Sequence, residues 1–237
     1  MSRRRLGWPI AFIFVLCTPG WSAAQADSAA TMTLPATIPI FPLQDVMLFP
    51  NSSRPLHIFE PRYRAMVADA LEGDSIIGMT LLQPGHEADY EGRPPIFEVG
   101  CAGVIIAVEE LPDGRYNIIL DGIVKFRVLS EDSTRSYRLA EVEALPEVVE
   151  VSDRPILSQR RQQLERTLLR VSPGTQLPPS EVPDEEVVDG FSAILPMEPA
   201  QRQELLEAEG PVERASRLIT LLSGGRRSAA LNGGPPI

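Results

Sequence analysis

One lysine, two histidines and two cysteines are all that this chain of 237 residues carries of those types. Each scarcity excludes a class of protein. Lys125 stands in Ile123-Val-Lys-Phe-Arg-Val128, a strand pattern with no glycine-rich approach and no Ser or Thr after the lysine. The chain therefore has no phosphate-cradling Walker loop, and an ATPase would lack the charge that holds the β and γ phosphates. The single lysine also argues against a Ser-Lys protease, in which a buried lysine of lowered pKa accepts the serine proton. There is no Gly-x-Ser-x-Gly elbow. Two cysteines are too few for a disulfide framework, and the 17 glycines follow no triplet period.

What is present begins with an export signal. Arg3, Arg4 and Arg5 form a basic segment, Leu6 to Leu16 is almost wholly apolar, and Ala24-Gln25-Ala26 precedes Asp27 as a cleavage site. Residues 1–26 read as a signal peptide cut between Ala26 and Asp27. The apolar run, broken by Pro9, Pro19 and Gly20, is shorter than the ~20 residues of a spanning helix, so no stable membrane span is expected after cleavage. An exported location, periplasmic or secreted, follows. Three of the 22 basic residues leave with the signal, so 19 face 32 acidic ones, a net of −13. Such a surface repels nucleic acid, whose affinity comes from Lys and Arg on phosphates, and favours basic or neutral clients. Cys101 alone remains, read as a small buried strand residue.

From Thr37 to Pro146 the pattern is β. Thr37–Phe41, Val46–Phe49, Pro55–Phe59, Ser75–Leu82, Phe97–Glu110, Arg115–Leu129 and Tyr137–Ala144 are runs rich in Val, Ile and Phe, separated by Pro, Gly and Asn. Asp113-Gly114 predicts a tight hairpin turn with positive φ angles. One helix interrupts. Pro61 suits its first position, Glu60 is placed to pair with Arg64, and Tyr63, Met66, Val67, Ala70 and Leu71 share a face up to Gly73. After Val151 the period changes to about 3.6. Pro155–Val171, a helix with Val187, Phe191, Ile194 and Leu195 inward, Ala200–Glu209, and a last helix from Pro211 stopped at Gly224-Gly225 make a helical half over 151–223. Residues 224–237 read as a disordered tail. The expected fold class is α+β, a β domain over 34–150 whose many short strands suggest a sandwich or barrel-like sheet, followed by a helical bundle.

Candidate chemistry is thin. His57, in Pro55-Leu-His-Ile-Phe-Glu60, would act as a general base only if Glu60 aligned it, and no positioned nucleophile accompanies it. His86, Glu87 and Asp89 share one loop and make a weak metal triad. Asp184-Glu185-Glu186 reads as acid complementing a helix N-terminus, and Glu109-Glu110 as a solvated hairpin end. No cofactor and no dedicated metal site are expected.

The string Ile38-Pro-Ile-Phe-Pro-Leu-Gln-Asp-Val-Met-Leu-Phe-Pro-Asn51, followed by Pro55-Leu-His-Ile-Phe-Glu-Pro-Arg-Tyr-Arg-Ala-Met-Val67, resembles the opening of the Lon protease N-terminal (substrate-binding) domain family. Val99-Gly-Cys-Ala-Gly-Val104, Asp113-Gly-Arg-Tyr-Asn-Ile118, Tyr137-Arg-Leu-Ala-Glu-Val142, Ile194-Leu-Pro196 and Leu205-Leu-Glu207 continue the likeness in order, over about residues 34–222. The resemblance implies a PUA-like pseudo-barrel with a helical bundle, and a non-catalytic module that recognises unfolded or extended polypeptides or a partner protein. The chain ends where the family's ATPase would begin. Polypeptide is expected at a sheet edge or in a groove between the halves, with Met47, Phe49, Tyr90 and Phe97 as candidate contacts. A hydrolase using His57 and Glu60, and an oligomeric structural or assembly protein, are the alternatives.

Overall fold

The computed structural model describes residues 34–86 and 92–231. The expected signal segment with Ala26 and Asp27, the metal candidates Glu87 and Asp89, the contact candidate Tyr90, and residues 232–237 lie outside the described residues.

Six strands form one sheet: β1 (Thr37–Leu43), β2 (Ser53–Ile58), β3 (Ile76–Leu81), β4 (Val99–Glu110), β5 (Tyr116–Asp132) and β6 (Arg138–Leu145). Their order is β2-β5-β4-β3-β1-β6, and β6 pairs again with β5, so five strands close on themselves and β2 is left at the edge. Closure removes the open edges a flat sheet would leave. Among the described residues only β1 and β3 are parallel, joined through β2 and α1 (Pro61–Glu72); the remaining pairs are antiparallel. Inside the closed ring lie Ile38, Ile40, Ala102, Val124, Phe126 and Ala140, all buried. Gly100, the second residue of β4, makes room for one of them: a Cβ there would sit 2.7 Å from the Phe126 ring and 2.4 Å from the Met79 carbonyl oxygen.

The hairpin joining β4 to β5 carries a longer turn than the two residues expected. Gly114 N–H donates to the Leu111 carbonyl, Leu111 N–H donates to Arg115, and only Gly114 takes positive φ, at 78°. That is a type I turn with Pro112 at its second position and a glycine bulge, which accommodates the right-handed strand twist without asking Asp113 for positive φ.

Four helices follow: α2 (Arg154–Val171), α3 (Asp184–Ile194), α4 (Pro199–Leu206) and α5 (Pro211–Leu231). Leu157, Leu164, Leu168, Val187, Phe191, Leu205, Leu206, Leu218 and Ile219 fill one core with the strand side chains that face them. Several expectations are corrected here. Val46–Phe49 is not a strand: it crosses over β5, with Met47, Leu48 and Phe49 buried beneath the helical half. Leu71 is partly exposed and Ile194 is 70% exposed at the end of α3. Glu60 binds Arg62 at 2.9 Å, since Arg64 lies over Gly114 of the hairpin turn. Finally, α5 passes through Gly224 and Gly225 to Leu231. Glycine weakens a helix by about 1 kcal/mol relative to alanine but keeps its N–H, so two of them need not end one.

The two halves are locked by buried charge. Arg214 of α5, fully buried, binds the Asp189 carboxylate of α3, Glu147 at 2.6 Å, and the Leu205 carbonyl at 3.0 Å. Lys125 of β5 binds Glu147 at 2.7 Å and the Ala208 carbonyl at 2.6 Å. Asn51, in left-handed backbone at φ 55°, reaches Asp189 at 2.8 Å. The only lysine of the chain therefore pins the β half to the helices. Burial pushes the Asp189 carboxyl up to about 6, against the pull of Arg214 and Asn51.

Cys101 is fully buried in β4, and desolvation, aided by the nearby Asp189 charge, pushes its thiol well above the usual range. The thiolate is the reactive species. Cys101 is accordingly expected to resist alkylation in the folded protein and to react at once in denaturant, as peptide mass mapping after iodoacetamide treatment reads directly; rapid labelling of the folded chain at neutral pH would contradict this.

Candidate functional site

Three surface features were open to the candidates raised by the sequence: the His57 region, the apolar strand residues, and the junction between the halves.

His57 lies exposed on β2, opposite Asn117 of β5. Its Nδ1 is 2.7 Å from the Asn117 Oδ1, and Arg115 is 3.2 Å from its Nε2. If Arg115 donates, as a guanidinium must, Nδ1 carries the proton and donates to Asn117. Both nitrogens are occupied, and Glu60, turned to Arg62, does not align the ring. The geometry that the hydrolase reading requires is absent. Around His57 the hairpin projects beyond the closed ring, and Phe59 and Ile106 are 60% and 57% exposed there.

Of the candidate contacts, Met47 and Phe49 are corrected: they are 2% and 0% exposed and have no surface to offer a polypeptide. Phe49 instead packs under Arg214, whose guanidinium carbon lies 5.7 Å from the ring centroid. Phe97 is different. It precedes β4 and remains half-buried in a groove of about 240 Å³. Leu81 and Leu82 form the groove floor, Pro84 and Phe97 one wall, and Pro199 and Ala200 at the start of α4 the other.

Local hydrogen bonding fixes this shape. Phe97 N–H donates to the Leu81 carbonyl and Gln83 N–H to the Pro95 carbonyl, both at 2.9 Å, and Leu82 bridges Ile96. The Gln83 side chain adds a bond to the Ile96 carbonyl at 3.0 Å. On the opposite wall, Glu198 and Gln201 form a capping box that fixes where α4 begins. Gln203 of α4 then donates to the Val99 carbonyl at 3.0 Å, setting the helix against the strand. Gln44, Gln83 and Glu198 complete the lining, and a floor and walls that are otherwise apolar suit apolar side chains of a polypeptide. Sequence reasoning missed Leu82, Pro84 and Pro199. Leu82 reads as an ordinary strand residue and Pro84 as turn punctuation, and nothing local tells that Pro199 returns to face them.

A closed mixed sheet docked on a helical half, with an apolar groove at their junction, defines a protein of α+β class. The family model described as the ATP-dependent protease La (LON) substrate-binding domain matches residues 37–224, and the chain belongs to this family. It is similar to the Lon protease of Trichlorobacter lovleyi, 27% identical over 201 residues, which cover 81% of this chain and 24% of that protein. Likeness to Lon protease 2 of Syntrophobacter fumaroxidans is 32% over 114 residues, 48% of this chain and 14% of that one. The chain thus spans about a quarter or less of the curated relatives it matches. Among solved structures, a Lon N-terminal domain protein from Xanthomonas campestris aligns with a TM-score of 0.55 at 25% identity, covering 78% of this chain and 97% of that one. The N-terminal domain of the Mycobacterium avium complex Lon protease shares the fold, with a TM-score of 0.58 at 18% identity over 79% of this chain and 98% of its own.

Proposed function

We propose that the protein is a non-catalytic module that recognises extended or unfolded polypeptide, and that it does so after export. Membership of a substrate-binding domain family supports the substrate-recognition role. Basic residues 3–5, the apolar run and the Ala-x-Ala site support export. The absence of a Walker lysine or a Ser-Lys pair supports a role without chemistry of its own.

The observation that carries the reading is Phe97, a partly buried aromatic that lines the groove beside buried Leu81 and Leu82. Aromatic residues in such pockets supply much of a binding energy. Fluorescence anisotropy of a labelled, permanently unfolded polypeptide is expected to rise saturably with added protein and no nucleotide. Phe97→Ser is expected to weaken binding about tenfold with the fold intact, the loss of one such anchor. A flat titration would contradict recognition, and anisotropy falling with time would reveal cleavage and a catalytic function.

A second reading is favoured by the exposed Phe59, just past the end of β2, and Ile106 of the projecting hairpin, whose apolar surface suits self-association into an assembly. It predicts a defined oligomer by light scattering, dispersed by Ile106→Asp, with no affinity for unfolded chains.

A further inference from the structure

Leu82 has two surroundings. On one side it floors the apolar groove; on the other it lines a second pocket of about 350 Å³, into which Arg62, Arg93, Arg135 and Arg138 also reach. Four guanidiniums around one cavity stand out in a chain whose net charge is −10.

Three of these arginines have carboxylate partners. Arg62 binds Glu60, Arg135 binds Asp69, and Arg138, nearly buried, binds both oxygens of Glu131 as well as the Pro94 carbonyl. Asp69 also accepts from the Tyr137 hydroxyl at 2.6 Å. Arg93 is held otherwise: it donates to the main-chain carbonyls of Asp132, Arg135 and Tyr137 at 3.1, 3.1 and 3.4 Å, and to no carboxylate among the described residues. The Asp132 carboxylate turns to Thr134, at 2.8 and 2.9 Å. The side chain of Arg93 is thus fixed in place with no carboxylate bonded directly to it among the described residues, the Asp132 charge acting on it only through space. Three of its five N–H groups are used in this way, and those left suit a single charge-assisted hydrogen bond to a carboxylate.

We infer that this pocket receives a carboxylate of the polypeptide lying in the groove, so that recognition favours segments in which an apolar side chain stands within a few residues of an acidic side chain or of the chain's own C-terminus. The inference rests on the groove reading. It also reverses, locally, the preference for basic or neutral clients that net charge alone suggests. Arg93 supplies a charge that no described carboxylate bonds directly, and Leu82 lines both the apolar and the anionic subsite.

The test uses three labelled peptides of one apolar sequence: one with a single Glu and an amidated end, one with Gln in its place and an amidated end, and one with Gln and a free C-terminus. At least one carboxylate-bearing peptide is expected to bind about tenfold more tightly than the neutral one, the worth of one charge-assisted hydrogen bond. Which of the two gains identifies the side chain or the terminus as the source. Arg93→Gln removes the gain and leaves the neutral peptide's affinity unchanged, which shows that the variant is folded. Equal affinity for all three peptides, or a gain that survives Arg93→Gln, overturns the anionic subsite and leaves the groove reading standing. No binding by any of the three removes both.

Discussion

Arg214→Ala is expected to destabilise the protein by about 3–5 kcal/mol, because removing one partner of a buried ionic network leaves the others charged and unpaired. Asp189 and Glu147 both point at this guanidinium, and Asp189 is itself 1% exposed. Loss of packing on Phe49 adds to the effect. The deficit depends on pH in a direction that can be worked out. In the intact protein the Asp189 carboxyl lies at about 6, above its ordinary 3.8, so the folded state holds the proton more tightly than the unfolded one. The stability this contributes is full below pH about 4 and is lost as pH rises through about 6. Without Arg214 the carboxyl moves higher still, because its strongest source of ionisation is gone. The variant is therefore expected to lag least at pH about 5 and most at pH about 8. Urea unfolding at both values measures this, and a deficit equal at the two, or one below about 1 kcal/mol, would show that the network is not what joins the halves.

Gly122→Ala is expected to cost about 3 kcal/mol or more, at the upper end of what overpacking does. A Cβ there would lie 2.0 Å from the Phe49 carbonyl oxygen, backbone against backbone with no flexible side chain to yield. The approach is held from both directions, since Asn51 N–H donates to the Gly122 carbonyl and Gly122 N–H to the Ser52 carbonyl. This crossing seals one side of the sheet with residues 47–49 and so sets where the helices dock. Gly190→Ala is the matched control: it lies within α3 with open space around it, and alanine there is expected to stabilise by up to about 1 kcal/mol. Thermal melts of the two variants should move in opposite directions; a Gly122→Ala protein as stable as the wild type would refute the crossing.

Much of the fold was legible in the sequence because the period of its apolar residues is. Alternation marked the strands, and the change of period after Val151 marked the helices. Pro61, Pro155, Pro199 and Pro211 each stand within the first turn of a helix. The failures have a common physical cause. Val46–Phe49 has strand composition, but it passes over Gly122 instead of joining the sheet, and the amide and carbonyl of Phe49 both bond the Ser52 hydroxyl. Ile194 has the spacing of an inward residue, yet α3 ends there and nothing is packed beyond it. Local pattern says that a residue is apolar, not whether a distant element covers it.

The same limit governed the site. Phe97 was legible as an apolar residue of a strand pattern, and so were Met47 and Phe49, but only the docking of the distant helical half separates the one left partly exposed from the two that are covered. The arginine pocket was hidden for another reason. Its members come from α1, the segment before β4 and the start of β6, and total charge, which is strongly negative, conceals a local excess of the other sign.

Amide hydrogen exchange of the whole protein with and without a permanently unfolded polypeptide tests the central claim most directly. Binding in the groove predicts slower exchange in residues 81–83 and 96–98 and at the start of α4, residues 200–202, with the hairpin of residues 105–119 unchanged. Protection confined to that hairpin, or none at saturating polypeptide, would contradict it.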